Sequence, residues 1–66
     1  MNQWFMSYKI YFSNGGILEN FDFYSADASK SGADVAKECA ELLAQQHNVE
    51  FNQIMYVSFN RVWRNF

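Results

Sequence analysis

Residues 4–12 read WFMSYKIYF, a stretch in which large side chains alternate between two faces. The even-numbered positions are all apolar, and they are Trp4, Met6, Tyr8, Ile10 and Phe12. The odd-numbered positions are mixed, and they are Phe5, Ser7, Lys9 and Tyr11. A period of two without Gly or Pro predicts a β-strand with one buried face. We expect this strand to lie at the centre of a sheet.

The chain has 66 residues, of which 50% are hydrophobic and 20% are aromatic. A domain of this size buries only about 60% of its unfolded surface, and disulfides, metals or association commonly stabilise it. With one cysteine and one histidine in the sequence, association is the remedy that the composition favours. We therefore expect a single domain over residues 1–66 that forms a homodimer at micromolar concentration.

The same composition bounds the location and the partners. A single cysteine cannot form an internal disulfide, and the N-terminus lacks a basic leader. No stretch approaches the ~20 apolar residues that a membrane span needs, so we expect a cytoplasmic protein without membrane attachment. The net charge of −2 is opposite in sign to the basic surface of a general nucleic-acid binder.

Residues 13–16 read SNGG and separate the first strand from a second alternating run. An Asn-Gly pair between apolar runs is a strong hairpin signal, because a type I′ turn needs positive φ at both central residues. We expect a two-residue loop, formed by Asn14-Gly15 or by Gly15-Gly16. Either position places Phe21 and Phe23 on the core face of the second strand.

A small, polar connection leads into a helix. Ser31 is the preferred N-cap, because Asp34 three residues later completes a variant of the capping box, and Asp27 is the alternative cap. The helix extends to about His47, and Asn48 is suited to a left-handed stop. One arc of this helix is apolar, and it comprises Val35, Ala36, Cys39, Leu42 and Leu43.

Residues 53–63 alternate again and predict a third strand, with Arg61 interrupting its core row. The fold class is α+β, a β-β-α-β domain with a three-stranded antiparallel sheet in order 2-1-3 and one helix on one face. Order 1-2-3, with the third strand parallel to the second, is the alternative. The predicted core is Met6, Tyr8, Ile10, Phe21, Phe23, Val35, Cys39, Leu42, Met55, Val57 and Phe59, and Trp63 shares the Met55 face.

The residues that could carry chemistry are few. Cys39 and His47 lie eight residues apart on one helix, about 12 Å, which is too far for a nucleophile and its base. Cys39 also lies on the apolar arc, where a free cysteine serves as a small hydrophobe. Residues 15–16 are not followed by a helix, as a phosphate-binding loop requires. We expect no catalytic site, no metal and no cofactor.

One helix covers only one side of the sheet, so the other side is predicted to be an open apolar face. It is expected to carry Phe5, Tyr11, Leu18, Tyr24, Ile54, Tyr56 and Val62, unless Trp63, Phe66 or the N-terminal residues cover part of it. An uncovered apolar surface of this kind marks an interaction site. The candidate partner-binding residues are Phe5, Lys9, Tyr11, Tyr24 and Tyr56 on the sheet, and Asp34, Glu38 and Glu41 on the acidic side of the helix.

The function expected from these features is a non-enzymatic protein-binding module. By analogy of size and charge, it could be a phage- or mobile-element-encoded inhibitor of a larger host machine, such as an anti-CRISPR protein. One alternative is single-stranded nucleic-acid binding, with Tyr11, Tyr56 and Phe5 stacking on bases around Lys9. Another is a structural homodimer, formed face to face or through an edge strand.

Overall fold

The computed structural model describes residues 1–62. Its elements are β1 (Asn2–Tyr11), β2 (Ile17–Ala26), α1 (Gly32–His47), a 3₁₀ turn (Phe51–Gln53) and β3 (Ile54–Val62). The strands form an antiparallel sheet in the order β2-β1-β3, and α1 packs on one of its faces. The predicted α+β class and strand order are confirmed. The predictions for Trp63 and Phe66 lie outside the described residues.

The even-numbered side chains of β1 form the centre of the core, as predicted. Trp4, Met6, Tyr8 and Ile10 are buried. Above them lie the buried helix residues Val35, Cys39, Ala40 and Leu43, with Ala26 from the end of β2. Each apolar side chain of this size contributes roughly 1.5–3 kcal/mol when it is fully buried, so this row supplies much of the driving force for folding.

The helix begins and ends where the sequence predicts. The hydroxyl of Ser31 accepts a hydrogen bond from the Asp34 amide at 3.2 Å, and the Ser31 amide donates to the Asp34 carboxylate at 3.3 Å. Asn48 adopts the left-handed conformation, with φ 54° and ψ 50°, and ends the helix. Asp27, the alternative cap, instead accepts the Ser29 amide within the preceding turn.

The hairpin loop has three residues, and the predicted two-residue loop is wrong. The Gly15 amide donates to the Phe12 carbonyl at 3.0 Å, and the Phe12 amide donates to the Gly16 carbonyl at 2.8 Å. Gly15 has a φ of 90°. This is a type I turn followed by a glycine bulge, which is the usual three-residue hairpin. An odd loop length shifts the pairing by one residue and turns every side chain of β2 to the opposite face.

The consequence is that the predicted core positions Phe21 and Phe23 are exposed. Phe21 lies opposite Ser7, and Phe23 lies opposite Phe5, on the face away from the helix. The side chains of β2 that share the helix face are Leu18, Asn20, Asp22, Tyr24 and Ala26.

In β3, a bulge changes which residues face the helix. Ser7 pairs with Ser58 and Tyr8 pairs with Tyr56, so Val57 is the extra residue. A bulge inserts one unpaired residue and therefore interrupts the alternation of faces. The residues of β3 that pack against the core are Ile54, Tyr56 and Phe59, whereas Met55 and Val57, predicted to be buried, are exposed.

The last correction concerns two neighbouring leucines. Leu43 is 5% exposed, but Leu42, which we predicted to be in the core, is 48% exposed. The helix lies closer to β3 than to β2. Leu42 points to the uncovered β2 side, where it lines a groove with Asp22 and Tyr24. This offset also explains why β2 tolerates polar side chains on its helix side.

Candidate functional site

The open face is the side of the sheet that faces away from α1. Its apolar side chains come from all three strands, and they are Phe5, Tyr11, Ile17, Phe21, Phe23, Met55, Val57 and Val62, the last as predicted. The hairpin and the bulge together determine this set. The three-residue loop turns the apolar positions of β2 outward, and the bulge leaves two exposed apolar residues on β3.

A cluster of three phenylalanines forms one end of the open face. The ring of Phe5 lies 5.3 Å from that of Phe23 and 6.2 Å from that of Phe21, measured between centroids. These are ordinary distances for tilted aromatic pairs. Phe21 is nevertheless 62% exposed and Phe23 is 53% exposed, because α1 packs on the opposite face of the sheet.

The other end of the open face is apolar, and a charged pair lies between the two ends. The Tyr11 hydroxyl donates a long hydrogen bond to the Met55 sulfur at 3.7 Å, and Ile17 lies opposite Tyr11. Between the two ends, the Lys9 ammonium lies 3.5 Å from the Glu19 carboxylate. The open face therefore carries a cation and its neutralising anion side by side.

The candidate sheet residues divide between the two faces. Phe5, Lys9 and Tyr11 lie on the open face, as predicted. The predicted positions of Tyr24 and Tyr56 there are wrong, since both pack against the core side. The same correction applies to Leu18 and Ile54, which also lie on the helix side.

Tyr56 has a structural partner on the helix. Its hydroxyl donates to the Ala36 carbonyl at 2.7 Å, and burial raises the pKa of Tyr56 to about 12. The ring packs on Phe59 with centroids 5.1 Å apart. This tyrosine joins β3 to α1, and its hydroxyl is already engaged within the chain.

The acidic helix residues are also largely engaged within the chain. Asp34 forms the N-terminal capping box. Both carboxylate oxygens of Glu38 accept hydrogen bonds from the Lys30 ammonium at 2.9 Å, and this pairing raises the pKa of Lys30. Glu41 is exposed. The three acids are thus not an unengaged row along the helix.

The outer edge of β2 carries local caps on its backbone donors. Because Phe12 and Gly16 form a hydrogen-bonded pair and such pairs alternate along antiparallel strands, the amides of Phe21 and Phe23 point away from β1. Each is capped at 2.8 Å by the side chain of the preceding residue, Asn20 or Asp22. Edge strands that are blunted in this way are poor templates for strand addition.

The outer edge of β3 is modified as well. Val57 interrupts the ladder as a bulge, and the Asn60 side chain donates to the Arg61 carbonyl at 3.3 Å. Bulges and side-chain caps both disfavour pairing with another strand. The two edges therefore favour contact through the open face over extension of the sheet.

The soft and titratable side chains are placed for packing. Cys39 is buried, and this burial, with smaller contributions from the Glu38 and Asp22 charges, raises the pKa of its thiol to about 11. The thiol is therefore protonated and unreactive at neutral pH. His47 lies in the last turn of the helix. Within residues 1–62, no group of three or more His, Cys, Asp or Glu side chains could hold a metal ion.

A shallow groove separates α1 from β2 on the helix side of the sheet. Its volume is about 110 Å³, below the ~300–1,000 Å³ typical of small-molecule sites. It is lined by Met6, Asp22, Tyr24, Cys39, Leu42, Leu43 and Gln46.

The helix of the described part of the chain is not long and apolar enough to cross a membrane.

Comparison of the chain with protein-family models, with curated proteins and with solved structures finds no match.

Proposed function

We propose that this chain is a non-enzymatic protein-binding module whose binding surface is the open face. The observation that carries the proposal is the exposure of Phe21 and Phe23 beside Phe5, in an apolar surface that extends across all three strands. Contiguous apolar patches larger than a few hundred Å² are rare on monomers and mark interaction sites. Aromatic residues and methionine are enriched at protein interfaces.

The charge of the open face favours a protein over a nucleic acid. Among the residues described, Lys9 is the cation on this face, and Glu19 lies 3.5 Å from its ammonium. Single-stranded nucleic-acid sites combine stacking aromatics with a positively charged groove that follows the phosphates. Phe5, Tyr11, Phe21 and Phe23 supply aromatic rings for stacking, but the described residues of this face, with Lys9 paired to Glu19, do not form a positively charged groove.

The open face is also a better candidate than the acidic helix. Asp34 already caps the helix, and Glu38 already binds Lys30. A basic partner would have to compete with both contacts. A stoichiometric binder of this size suits an inhibitor that occupies a surface on a larger cytoplasmic machine. The assignment to this class, which includes phage- or mobile-element-encoded and anti-CRISPR proteins, is an analogy based on size and charge.

Affinity capture followed by binding measurements tests the proposal with a matched pair of variants. Phe21 and Phe51 are 62% and 52% exposed, but Phe51 lies in the 3₁₀ turn, outside the sheet. We expect Phe21→Ser to weaken binding to the captured protein by about tenfold or more, and Phe51→Ser to leave it unchanged. Because the contact is apolar, we expect weak dependence on salt.

Two results would replace the proposal. If Phe21→Ser binds as the wild type does while Glu41→Lys weakens binding in a salt-dependent manner, the acidic helix is the binding surface. If the purified chain binds single-stranded oligonucleotides at physiological salt, and Phe21→Ser abolishes that binding, the aromatic rings stack on bases instead.

A further inference from the structure

We infer, on the basis of the protein-binding function proposed above, that the open face is self-complementary and that a second copy of this chain occupies it. The inference starts from the cross-strand pairs of β1 and β2. Along the open face these pairs are Phe5 with Phe23, Ser7 with Phe21, and Lys9 with Glu19. In each row, the two members complement each other in apolar character, size or charge.

A two-fold axis that runs along the strands, between β1 and β2, exchanges the two members of every row. Lys9 then meets Glu19 of the second copy, and Glu19 meets Lys9 of the second copy, so both charges gain an opposite partner. The large Phe21 side chain meets the small Ser7, and Phe5 meets Phe23. A symmetric interface requires each contact to be repeated in this reciprocal way, and aligned sheets pack face to face with about 30° between their strands.

The area of the face is sufficient for a weak dimer. A phenylalanine can bury roughly 150–250 Å², so the half-exposed Phe21 and Phe23, together with Tyr11, Ile17 and the Lys9–Glu19 row, offer on the order of 500 Å² per chain. Two copies bury about 1,000 Å² in total, which is the lower limit for a specific interface. The dimer should dissociate in the micromolar range or above, so the face stays accessible to a tighter-binding protein.

The edges of the sheet support this geometry over sheet extension. The capped amides of Phe21 and Phe23 on β2 and the bulge at Val57 on β3 both oppose strand pairing between copies. Packing through the open face leaves these local hydrogen bonds intact. Of the two dimer arrangements expected from the sequence, the face-to-face arrangement is the one that the observed contacts favour.

Charge reversal followed by sedimentation equilibrium tests the inference. Lys9→Glu places two acidic rows against each other in the homodimer, and Glu19→Lys places two basic rows against each other. We expect each variant alone to weaken dimerisation by about tenfold or more. An equimolar mixture of the two should form a heterodimer with nearly wild-type affinity, and so should the double variant Lys9→Glu/Glu19→Lys with itself. Both single variants should fold, because the Lys9–Glu19 pair is exposed and such pairs contribute little to stability.

Three results would overturn the inference: a wild type that stays monomeric up to about 1 mM, single variants that dimerise as the wild type does, or folded variants whose mixture does not form heterodimers. None of these results bears on whether a different protein binds the open face, which the Phe21→Ser and Phe51→Ser pair tests separately. Loss of both self-association and partner binding in Phe21→Ser, with charge reversal ineffective, would retain the proposed function and reject the charge-paired dimer.

Discussion

Trp4 and Phe59 stack on the covered side of the sheet with ring centroids 5.3 Å apart, and on the open side Phe5 and Phe23 lie at the same 5.3 Å. Both pairs join neighbouring strands, Phe5 and Phe23 as direct cross-strand partners and Trp4 and Phe59 as diagonal neighbours, since Phe59 pairs with Met6. They differ in what lies above them, because Trp4 is buried beneath the helix whereas Phe23 is more than half exposed. Aromatic contact between strands therefore does not identify the core, and the position of the helix does.

The largest expected effect on stability comes from two adjacent leucines of α1, one packed against the sheet and the other largely outside the core. Leu43 is buried and Leu42 is about half exposed. Leu43→Ala should lower the free energy of unfolding by about 2–5 kcal/mol, because it leaves a cavity in the core. Leu42→Ala should cost less than about 1.5 kcal/mol, since most of its transfer free energy is never gained.

Urea denaturation of both variants measures this difference. The substitution and the helix are the same in the two variants, so helix propensity cancels from the comparison. Equal losses in the two variants, or a larger loss for Leu42→Ala, would mean that the helix presents a different face to the sheet.

An intermediate effect is expected at the turn that assigns β2 to its faces. Gly15 has a φ of 90°, a region that other residues enter at a cost of about 1–2 kcal/mol. Gly15→Ala should be destabilising by about that amount, and Gly15→Asn by less, because asparagine tolerates positive φ. Thermal unfolding of the three chains checks this order. A neutral Gly15→Ala substitution would indicate a different loop and a different assignment of Phe21 and Phe23.

The smallest effect on stability is expected at the edge of β2. Removing both caps with Asn20→Ala/Asp22→Ala should cost less than about 1 kcal/mol, because water replaces a local hydrogen bond at an exposed edge. Self-association through the uncovered edge should increase, and light scattering during incubation measures it. Asp22→Asn retains an acceptor for the Phe23 amide and serves as the control. Unchanged scattering in the double variant would show that the caps do not protect the edge.

Much of the fold follows from local signals in the sequence. The alternation of residues 4–12 identifies the central strand, and Ser31, Asp34 and Asn48 fix the ends of the helix through their own hydrogen bonds and backbone angles. The order β2-β1-β3 follows from the uniformly apolar even row of β1. Each of these features depends on residues close together in the chain, or on one strand considered alone.

The faces of the outer strands were not predictable with the same reasoning, because one extra residue reverses them. Residues 13–16 permit loops of two or three residues, and the Asn-Gly pair favours the two-residue loop, which would bury Phe21 and Phe23. A three-residue loop with Gly15 in positive φ was compatible with the same letters. In β3, the bulge at Val57 has no local sequence marker such as glycine, so an uninterrupted alternation was expected.

For the same reason, the candidate site was only partly predictable. Phe5, Lys9 and Tyr11 were identified because β1 has no irregularity between them. The sequence pattern does not assign Ile17, Phe21, Phe23, Met55 and Val57 to this face, because all of them lie beyond the loop or at the bulge. Asn20 and Asp22 could have indicated the correct faces of β2. Polar side chains at these positions are compatible with the helix side, because α1 does not cover that part of it.

The measurement that most directly tests whether the open face binds protein is chemical-shift mapping by NMR on the isotope-labelled chain. Spectra of the dilute chain would be compared with those of the concentrated chain and of the chain saturated with a captured protein partner. We predict that the methyl signals of Ile17, Met55 and Val57 shift or broaden on binding, while those of Ala33 on the exposed side of the helix stay unchanged. Shifts at Ala33 and its neighbours on the helix, with the three open-face methyl signals unmoved, would show that the helix, and not the open face, is the binding surface.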